Sequence, residues 1–201
     1  MESATIAAGH ARVVLPVLNS SKLDTITSSG TYTIPGETGT KEVEVTVYGA
    51  SGGGGSAYYS TRKSGYILDP VLPHGARGIV LIWPFTGPRG FNGGKAVSFR
   101  TIPVGTVLTI TIGNAGTGGL FKDLLNYLGL GTAGTVTKVE QSGVLIAQSD
   151  GGGGGGTSVG PGGGTGDHIF IGDGAQGGEG GEAPPANGSD GRAGWVEIRY
   201  S

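Results

Sequence analysis

The feature that most constrains this chain is a glycine block from Asp150 to Gly194, which opens with the run Gly151–Gly156. Nearly half of its residues are glycine, and a shorter run, Gly52–Gly55, occurs earlier in the chain. Glycine loses more backbone freedom on ordering than any other residue. Such a block therefore either stays disordered or regains that free energy through backbone contacts that side chains would prevent.

Two apolar segments favour the ordered alternative. The block is followed by Trp195–Tyr200, a strand-like run, and a lone strand is not stable unless another element receives it. A second apolar patch, His168–Ile171, interrupts the block itself. A flexible linker is the competing interpretation, since glycine-rich composition is typical of linkers.

The ordered form that we predict is a set of packed left-handed helices of the polyproline type. Such helices have about three residues per turn and no internal hydrogen bonds, so their N–H and C=O groups must bond sideways. Only glycine faces allow the required close approach. Three glycine triads have this spacing: Gly160, Gly163 and Gly166; Gly174, Gly177 and Gly180; and Gly188, Gly191 and Gly194. The period breaks too often for collagen.

Composition excludes several classes of protein. The chain has 201 residues, the size of one domain with an attachment arm. Charged residues make up 14% and the net charge is −2, so there is no basic surface for nucleic acid or anionic lipid. Cysteine is absent, which removes disulfides and thiolate chemistry. We expect neither a signal peptide nor a membrane-spanning segment.

The remaining pattern is mostly that of β-strands. Lys41–Tyr48 alternates valine with polar residues, the period of a half-buried strand. Two hairpins are predicted, one from Lys95–Ile102 with Val107–Ile112 and one from Thr135–Val139 with Gly143–Ala147. Leu120–Leu128 has the spacing of a short helix. The predicted fold is mostly β, an antiparallel sheet or sandwich with packed polyglycine helices and one short α-helix near residues 120–128.

The chain divides into an arm and a domain. Residues 1–30 are predicted to form an N-terminal docking arm, and residues 31–201 the glycine-rich domain, with insertions at about 57–92 and 120–130. Within the arm, Ala11–Leu18 is apolar but contains Pro16, which suits an edge or docking strand. An ordinary first strand is an equally good interpretation.

Sequence motifs for chemistry are not convincing. Gly172–Gly177 matches a dinucleotide-binding fingerprint, but the residues that follow it, Gly178–Pro185, cannot form the helix that such a site needs. The histidines are scattered singly, and the carboxylates show no acid–base pairing. We therefore predict a protein that is not an enzyme, with no catalytic residues, metal or cofactor.

Binding is the remaining hypothesis, because loops on a rigid scaffold often carry recognition. Two chain reversals supply candidate residues: His168, Ile169, Phe170 and Ile171 in one, and Pro184, Pro185 and Asn187 in the other. The aromatic stretch supplies the others: Tyr58, Tyr59, Trp83, Phe85 and Phe91. A strand buried on the sheet is the alternative for Ile169–Ile171, and internal packing is the alternative for the aromatic residues.

The order of these segments resembles the glycine-rich domain of bacteriophage tail-fibre and tail-tip proteins. The segments that carry the resemblance are Thr31–Pro35, Val43–Gly55, Pro103–Gly113 and Gly191–Tyr200. The glycine block is also similar to the tip adhesins of T-even-like phages, in which polyglycine helices pack into a sandwich and loops touch outer-membrane proteins or sugars. Those adhesins have more glycine segments than this sequence displays.

The resemblance implies a virion protein at the tail fibre or tail tip that binds a host cell-surface protein or glycan. The N-terminal arm would then attach to other virion proteins, with no role for nucleic acid. A homotrimer is one option, since fibre proteins are often trimers, whereas T-even-like tip adhesins act as single copies. The alternative is a capsid decoration or head-fibre protein.

Overall fold

A computed structural model describes residues 21–63, 80–124 and 127–201 of the protein. Within these ranges there are twelve β-strands and no helix. The strands are β1 (Lys22–Ile26), β2 (Gly30–Thr33), β3 (Thr40–Tyr48), β4 (Tyr58–Lys63), β5 (Val80–Phe85), β6 (Lys95–Pro103), β7 (Val107–Thr111), β8 (Thr137–Gln141), β9 (Val144–Ser149), β10 (Gly164–Thr165), β11 (His168–Phe170) and β12 (Trp195–Tyr200). Across the described part of the chain, no helix has the length and apolarity to cross a membrane.

The described strands form two five-stranded antiparallel sheets and a separate hairpin. The first sheet has the order β1-β12-β3-β6-β11, the second has the order β10-β9-β8-β7-β2, and β4 pairs only with β5. The predicted all-β, antiparallel class is confirmed.

Both sheets contribute to one hydrophobic core, which the alternating patterns predict. In β3 the valines at 43, 45 and 47 are buried, and in β12 Val196 and Ile198 are buried beside them. The second sheet adds Leu108, Ile110 and Val139. A buried hydrogen bond from the Ser98 hydroxyl in β6 to the Ile146 carbonyl in β9, 2.9 Å long, links the two sheets directly.

The C-terminal strand pairs with strands from earlier in the chain, as predicted. It lies between β1 and β3, with Trp195 opposite Tyr48 and Tyr200 opposite Val43. Its position inside the sheet explains why an apolar segment can follow a glycine block.

One predicted hairpin is wrong and the other is confirmed. β6 and β7 do not pair, because the turn at Pro103–Gly105 carries the chain from one sheet to the other. This turn contacts the turn before β3, since Val104 N–H donates to the Gly39 carbonyl at 2.9 Å. β8 and β9 do pair, through a turn in which Ser142 and Gly143 have φ of 49° and 80°. Positive φ at both central residues suits a two-residue hairpin loop.

The short helix predicted near residues 120–128 is not present in the described part of that stretch, which omits Leu125 and Asn126. The apolar residues that suggested it have no core to pack against: Leu120 is 65% exposed and Leu124 is 56% exposed. The stretch instead joins two glycine-containing segments whose ends are fixed, since Gly119 N–H donates to the Gly54 carbonyl and Ser56 N–H to the Gly129 carbonyl.

Seven glycine-containing segments extend from one end of the sheets. Residues 49–57 form the central segment, in which every residue is buried. Six outer segments surround it within the described residues: 87–94, 150–156, 129–135, 113–119, 186–194 and 174–181. Taken in that order, each outer segment is hydrogen-bonded to the next and the last to the first, so the ring is closed. We call these seven segments together the glycine bundle.

The glycine bundle continues the strands. The central segment follows β3 directly, and five of the six outer segments adjoin a strand, namely β6, β7, β8, β9 or β12. A Cβ atom placed on Gly52, Gly53 or Gly54 would overlap the backbone of an outer segment. The close packing therefore depends on glycine at these positions.

The predicted N-terminal arm is partly described. Residues 1–20, including Ala11–Leu18, lie outside the described residues. Lys22–Ile26 forms β1 at the edge of the first sheet. Because Lys22 lies opposite Tyr200 and Ile26 opposite Val196, the chain enters at the end of the sheets remote from the glycine bundle.

Candidate functional site

The free end of the glycine bundle carries connections between its segments, and we call this end the tip. The β4–β5 hairpin leaves the central segment after Ala57 and returns to the outer segment that begins at Gly87. Residues 120–128 and 182–185 connect further outer segments there. A turn closes the second connection, with Ala186 N–H donating to the Ala183 carbonyl at 2.9 Å.

Contacts between these connections make the tip one continuous surface. The ring of Tyr59 in the hairpin meets the ring of Phe121 edge to face, with centroids 6.1 Å apart. Phe121 N–H donates to the Asn187 side-chain oxygen at 2.7 Å, which joins the 182–187 region to the same surface. Within the hairpin, the rings of Tyr58 and Phe85 stack at 5.3 Å.

Much of this surface is apolar and exposed. Six large hydrophobic residues at the tip are at least 45% exposed: Ile82, Trp83, Phe85, Leu120, Leu124 and Leu130. Soluble proteins rarely expose contiguous apolar surface unless it meets a partner. The tip is therefore the strongest candidate for recognition among the described residues.

The tip brings together seven of the residues predicted from sequence: Tyr58, Tyr59, Trp83, Phe85, Pro184, Pro185 and Asn187. Four further apolar residues at the tip were not among the predicted binding residues: Leu120, Phe121, Leu124 and Leu130. The spacing of Leu120, Phe121 and Leu124 predicted a helix, whose apolar face would have been buried, and Leu130 lay beyond the predicted helix. The glycines on both sides of this stretch were the available signal for an exposed connection.

The other predicted binding residues lie elsewhere. His168, Ile169 and Phe170 form β11, an edge strand that pairs with β6, and Ile171 follows it. They are not buried as the alternative interpretation required, since Ile169 is 48% exposed and Ile171 is 70% exposed. Phe91 lies halfway along the outer segment 87–94 and is 40% exposed. The structure thus separates the predicted set into a tip, a sheet edge and a flank.

A row of side chains braces the junction between sheets and bundle. Trp195, Tyr48, Lys95 and Phe170 stand opposite one another on β12, β3, β6 and β11. The Lys95 amine lies 5.4 Å from the centre of the Tyr48 ring and 5.2 Å from that of Phe170, within the range of cation–π attraction. Phe170 therefore has a structural role that its sequence position did not indicate.

Two tyrosines and one carboxyl group have shifted pKa values. Burial, together with the negative charge of Glu197, raises the pKa of Tyr48 to about 12. Burial and a hydrogen bond to Asp24 raise the pKa of Tyr32 above its ordinary range. The backbone N–H of Phe99 and the guanidinium of Arg100 lower the pKa of Asp167. Tyr32 and Tyr48 lie on strands and Asp167 lies between β10 and β11, so none of the three is at the tip, and each shift has a structural partner.

The described residues include no group of three or more His, Asp or Glu side chains that could hold a metal ion. No protein family model matches the chain, and no curated protein matches it at a significant level.

Proposed function

We propose that the seven segments of the glycine bundle are left-handed polyglycine helices, and that the two sheets form a β-sandwich from which they project. At about 3.1 Å per residue, the nine residues 49–57 would span roughly 28 Å. The bundle would then be a stiff rod that holds the tip well away from the sheets.

The direction of the backbone hydrogen bonds supports this conformation. Every third amide of the central segment donates to the same outer segment, as a helix with about three residues per turn requires. The three sets are Ser51, Gly54 and Ala57 to Arg192, Ser189 and Ala186; Gly52 and Gly55 to Phe91 and Pro88; and Gly53 and Ser56 to Thr132 and Gly129. The carbonyl groups follow the same rule toward the other three outer segments.

The glycine spacing seen in the sequence also fits. Gly188, Gly191 and Gly194 donate in turn to Gly119, Gly116 and Gly113. Cβ atoms placed on Gly174, Gly177 and Gly180 would all overlap the outer segment 87–94. The remaining triad, Gly160, Gly163 and Gly166, departs from this pattern, since Gly164–Thr165 forms β10 between its last two glycines.

The function that this architecture supports best is host attachment by a bacteriophage virion protein. The protein would sit at a tail fibre or tail tip, with the arm bound to other virion proteins and the tip bound to a host cell-surface protein or glycan. The observation that carries the proposal is that the arm and the tip lie at opposite ends of the molecule. The arm enters at the end of the sheets remote from the bundle, and the exposed apolar tip lies at the free end of the bundle. The sequence resemblance to phage tail proteins supplies the biological setting.

Competition with virus adsorption tests the proposal. Purified protein should bind host cells and reduce adsorption of the parent virus, and the double variant Trp83→Ala/Phe85→Ala should lose at least tenfold in cell binding. Val107→Ala is the matched control, because Val107 is 49% exposed on the sheets and remote from the tip. Equal loss in the control, or no cell binding by the unaltered protein, would contradict the tip assignment.

A capsid decoration or head-fibre protein is the second candidate. The same rod would serve there as a rigid protrusion. Binding of the purified protein to empty capsids but not to host cells would favour this function over attachment.

A further inference from the structure

A pocket on the flank of the glycine bundle, separate from the tip, has a volume of about 250 Å³. Its lining includes Arg89, Phe91, Asn92, Pro161, Gly172 and Gln176. These residues come from three stretches of chain, one at 89–92 and two within 161–176. Pockets for drug-sized ligands span roughly 300–1,000 Å³, so this one suits a smaller molecule.

Hydrogen bonds hold the walls of the flank pocket in place. The Asn92 side chain donates to the Gly172 carbonyl at 3.0 Å and accepts from Gly177 N–H at 2.9 Å. Gly162 N–H donates to the Asn92 carbonyl at 3.0 Å. A ligand would therefore meet a preformed site and would not have to order the chain, which lowers the free-energy cost of binding.

The walls of the flank pocket offer a ligand an aromatic ring and a side-chain amide. Phe91 is a large aromatic residue left 40% exposed, although Gly90 and Gly93 in the same segment are buried. The electron-rich face of an aromatic ring attracts weakly positive C–H groups, such as those on one face of a pyranose. The Gln176 side chain makes no hydrogen bond to any described residue, so its amide can both donate to and accept from hydroxyl groups.

The local charge argues against an anionic ligand. The Arg89 guanidinium forms an ion pair with the Glu179 carboxylate at 2.6 Å, and both side chains are largely exposed. The positive charge is thus already compensated, while the remaining N–H groups of Arg89 can still donate hydrogen bonds. We propose that the flank pocket binds a single neutral sugar ring, stacked on Phe91 and hydrogen-bonded by Gln176 and Arg89. This inference does not rest on attachment through the tip.

Titration of the full chain with methyl glycosides of glucose, galactose, mannose and N-acetylglucosamine, followed by amide NMR, tests the proposal. At least one glycoside should bind with millimolar affinity and shift the amides of Gly90, Phe91, Gly172 and Gln176. Phe91→Ala should weaken binding at least tenfold, and Gln176→Ala should weaken it severalfold. Phe91→Tyr, which keeps an aromatic ring, should retain binding.

Val107→Ala, on the sheets and outside both the flank pocket and the tip, is the control and should bind the same glycoside unchanged. Unperturbed amide spectra remote from the pocket would show that each variant is folded. Absence of shifts with every glycoside, shifts confined to the tip, or tighter binding of glucuronate than of glucose would overturn the proposal. Phe91→Ala should lose glycoside binding but keep binding to host cells, and Trp83→Ala/Phe85→Ala should show the reverse. This pattern would show that the flank pocket and the tip are separate sites.

Discussion

The rings of Tyr48 and Trp195 stack 4.1 Å apart and 13° from parallel, at the point where β3 and β12 give way to the glycine bundle. The Glu197 carboxylate accepts from both of them, from the Tyr48 hydroxyl and from the Trp195 indole N–H, each at 3.2 Å. This contact ties the segment that leads into the bundle to the segment that leads out of it. The two ends of the glycine-rich part of the chain are thereby fixed side by side.

Replacement of Trp195 by alanine should lower the free energy of unfolding by about 2–3 kcal/mol, because a half-buried aromatic stack is lost. Urea denaturation followed by circular dichroism measures the change. Trp83→Ala is the matched control: the ring is 50% exposed, and we expect a change within about 0.5 kcal/mol. Similar losses in the two variants would argue against a bracing role for Trp195.

Replacement of Gly53 by alanine should cost at least about 3 kcal/mol, at or above the usual range for overpacking, because the new Cβ would overlap the Thr117 carbonyl. Backbone atoms cannot move aside as a flexible side chain can. The thermal midpoint of unfolding should fall accordingly. Gly30→Ala provides the comparison, since a Cβ there meets nothing within 4 Å, and its midpoint should be unchanged or slightly higher.

Amide exchange should be slowest in the central segment of the bundle. Gly52, Gly53, Gly54 and Gly55 are buried, and their N–H groups all donate to outer segments, so exchange there should require global unfolding. Hydrogen exchange measured by NMR should place these glycines with Val45 and Ile198 in protection. Rapid exchange at these amides, or throughout residues 150–194, would mean that the glycine segments are not packed.

Alkaline pH should destabilise the protein through its shifted tyrosines. The pKa of Tyr48 is raised from the ordinary 10.0 to about 12, so the unfolded state loses its proton first as pH rises. This contribution to stability is complete below pH 10 and is lost as pH rises through 12. In Tyr48→Phe the unfolding free energy should fall less steeply with pH over this interval. The difference in slope should correspond to the release of up to one proton fewer on unfolding. An unchanged slope would contradict the shift.

The strands could largely be predicted from the sequence because their side chains report their environment. Alternation in Val43–Val47 and the apolar run Trp195–Tyr200 identified two neighbouring strands of the first sheet. The hairpin of β8 and β9 was also predictable from its turn residues. At Pro103–Gly105 the same kind of signal led to an error, since a turn that reverses the chain within a sheet and one that crosses to another sheet have similar residues.

The arrangement of the bundle could not be predicted in the same way. Glycine has no side chain to indicate which neighbour a residue faces, so the spacing of Gly188–Gly194 suggested contact without naming the partner, the outer segment 113–119. Only part of the candidate site at the tip could be predicted from the sequence. The aromatic residues of the hairpin stood out by composition, whereas Leu120 and Leu124 fitted a helical pattern that their exposed position does not support.

The register of the glycine bundle is set by backbone hydrogen bonds among its own segments and by the strands that most of them join. Neither depends on the length of the connections at the tip. We therefore expect residues 120–128 and 182–185 to tolerate gain, loss or exchange of residues without a change in the hydrogen-bonded register of the glycine bundle. Under the proposed attachment function, a viral population could change what the tip binds through small insertions and recombination, at little risk to folding.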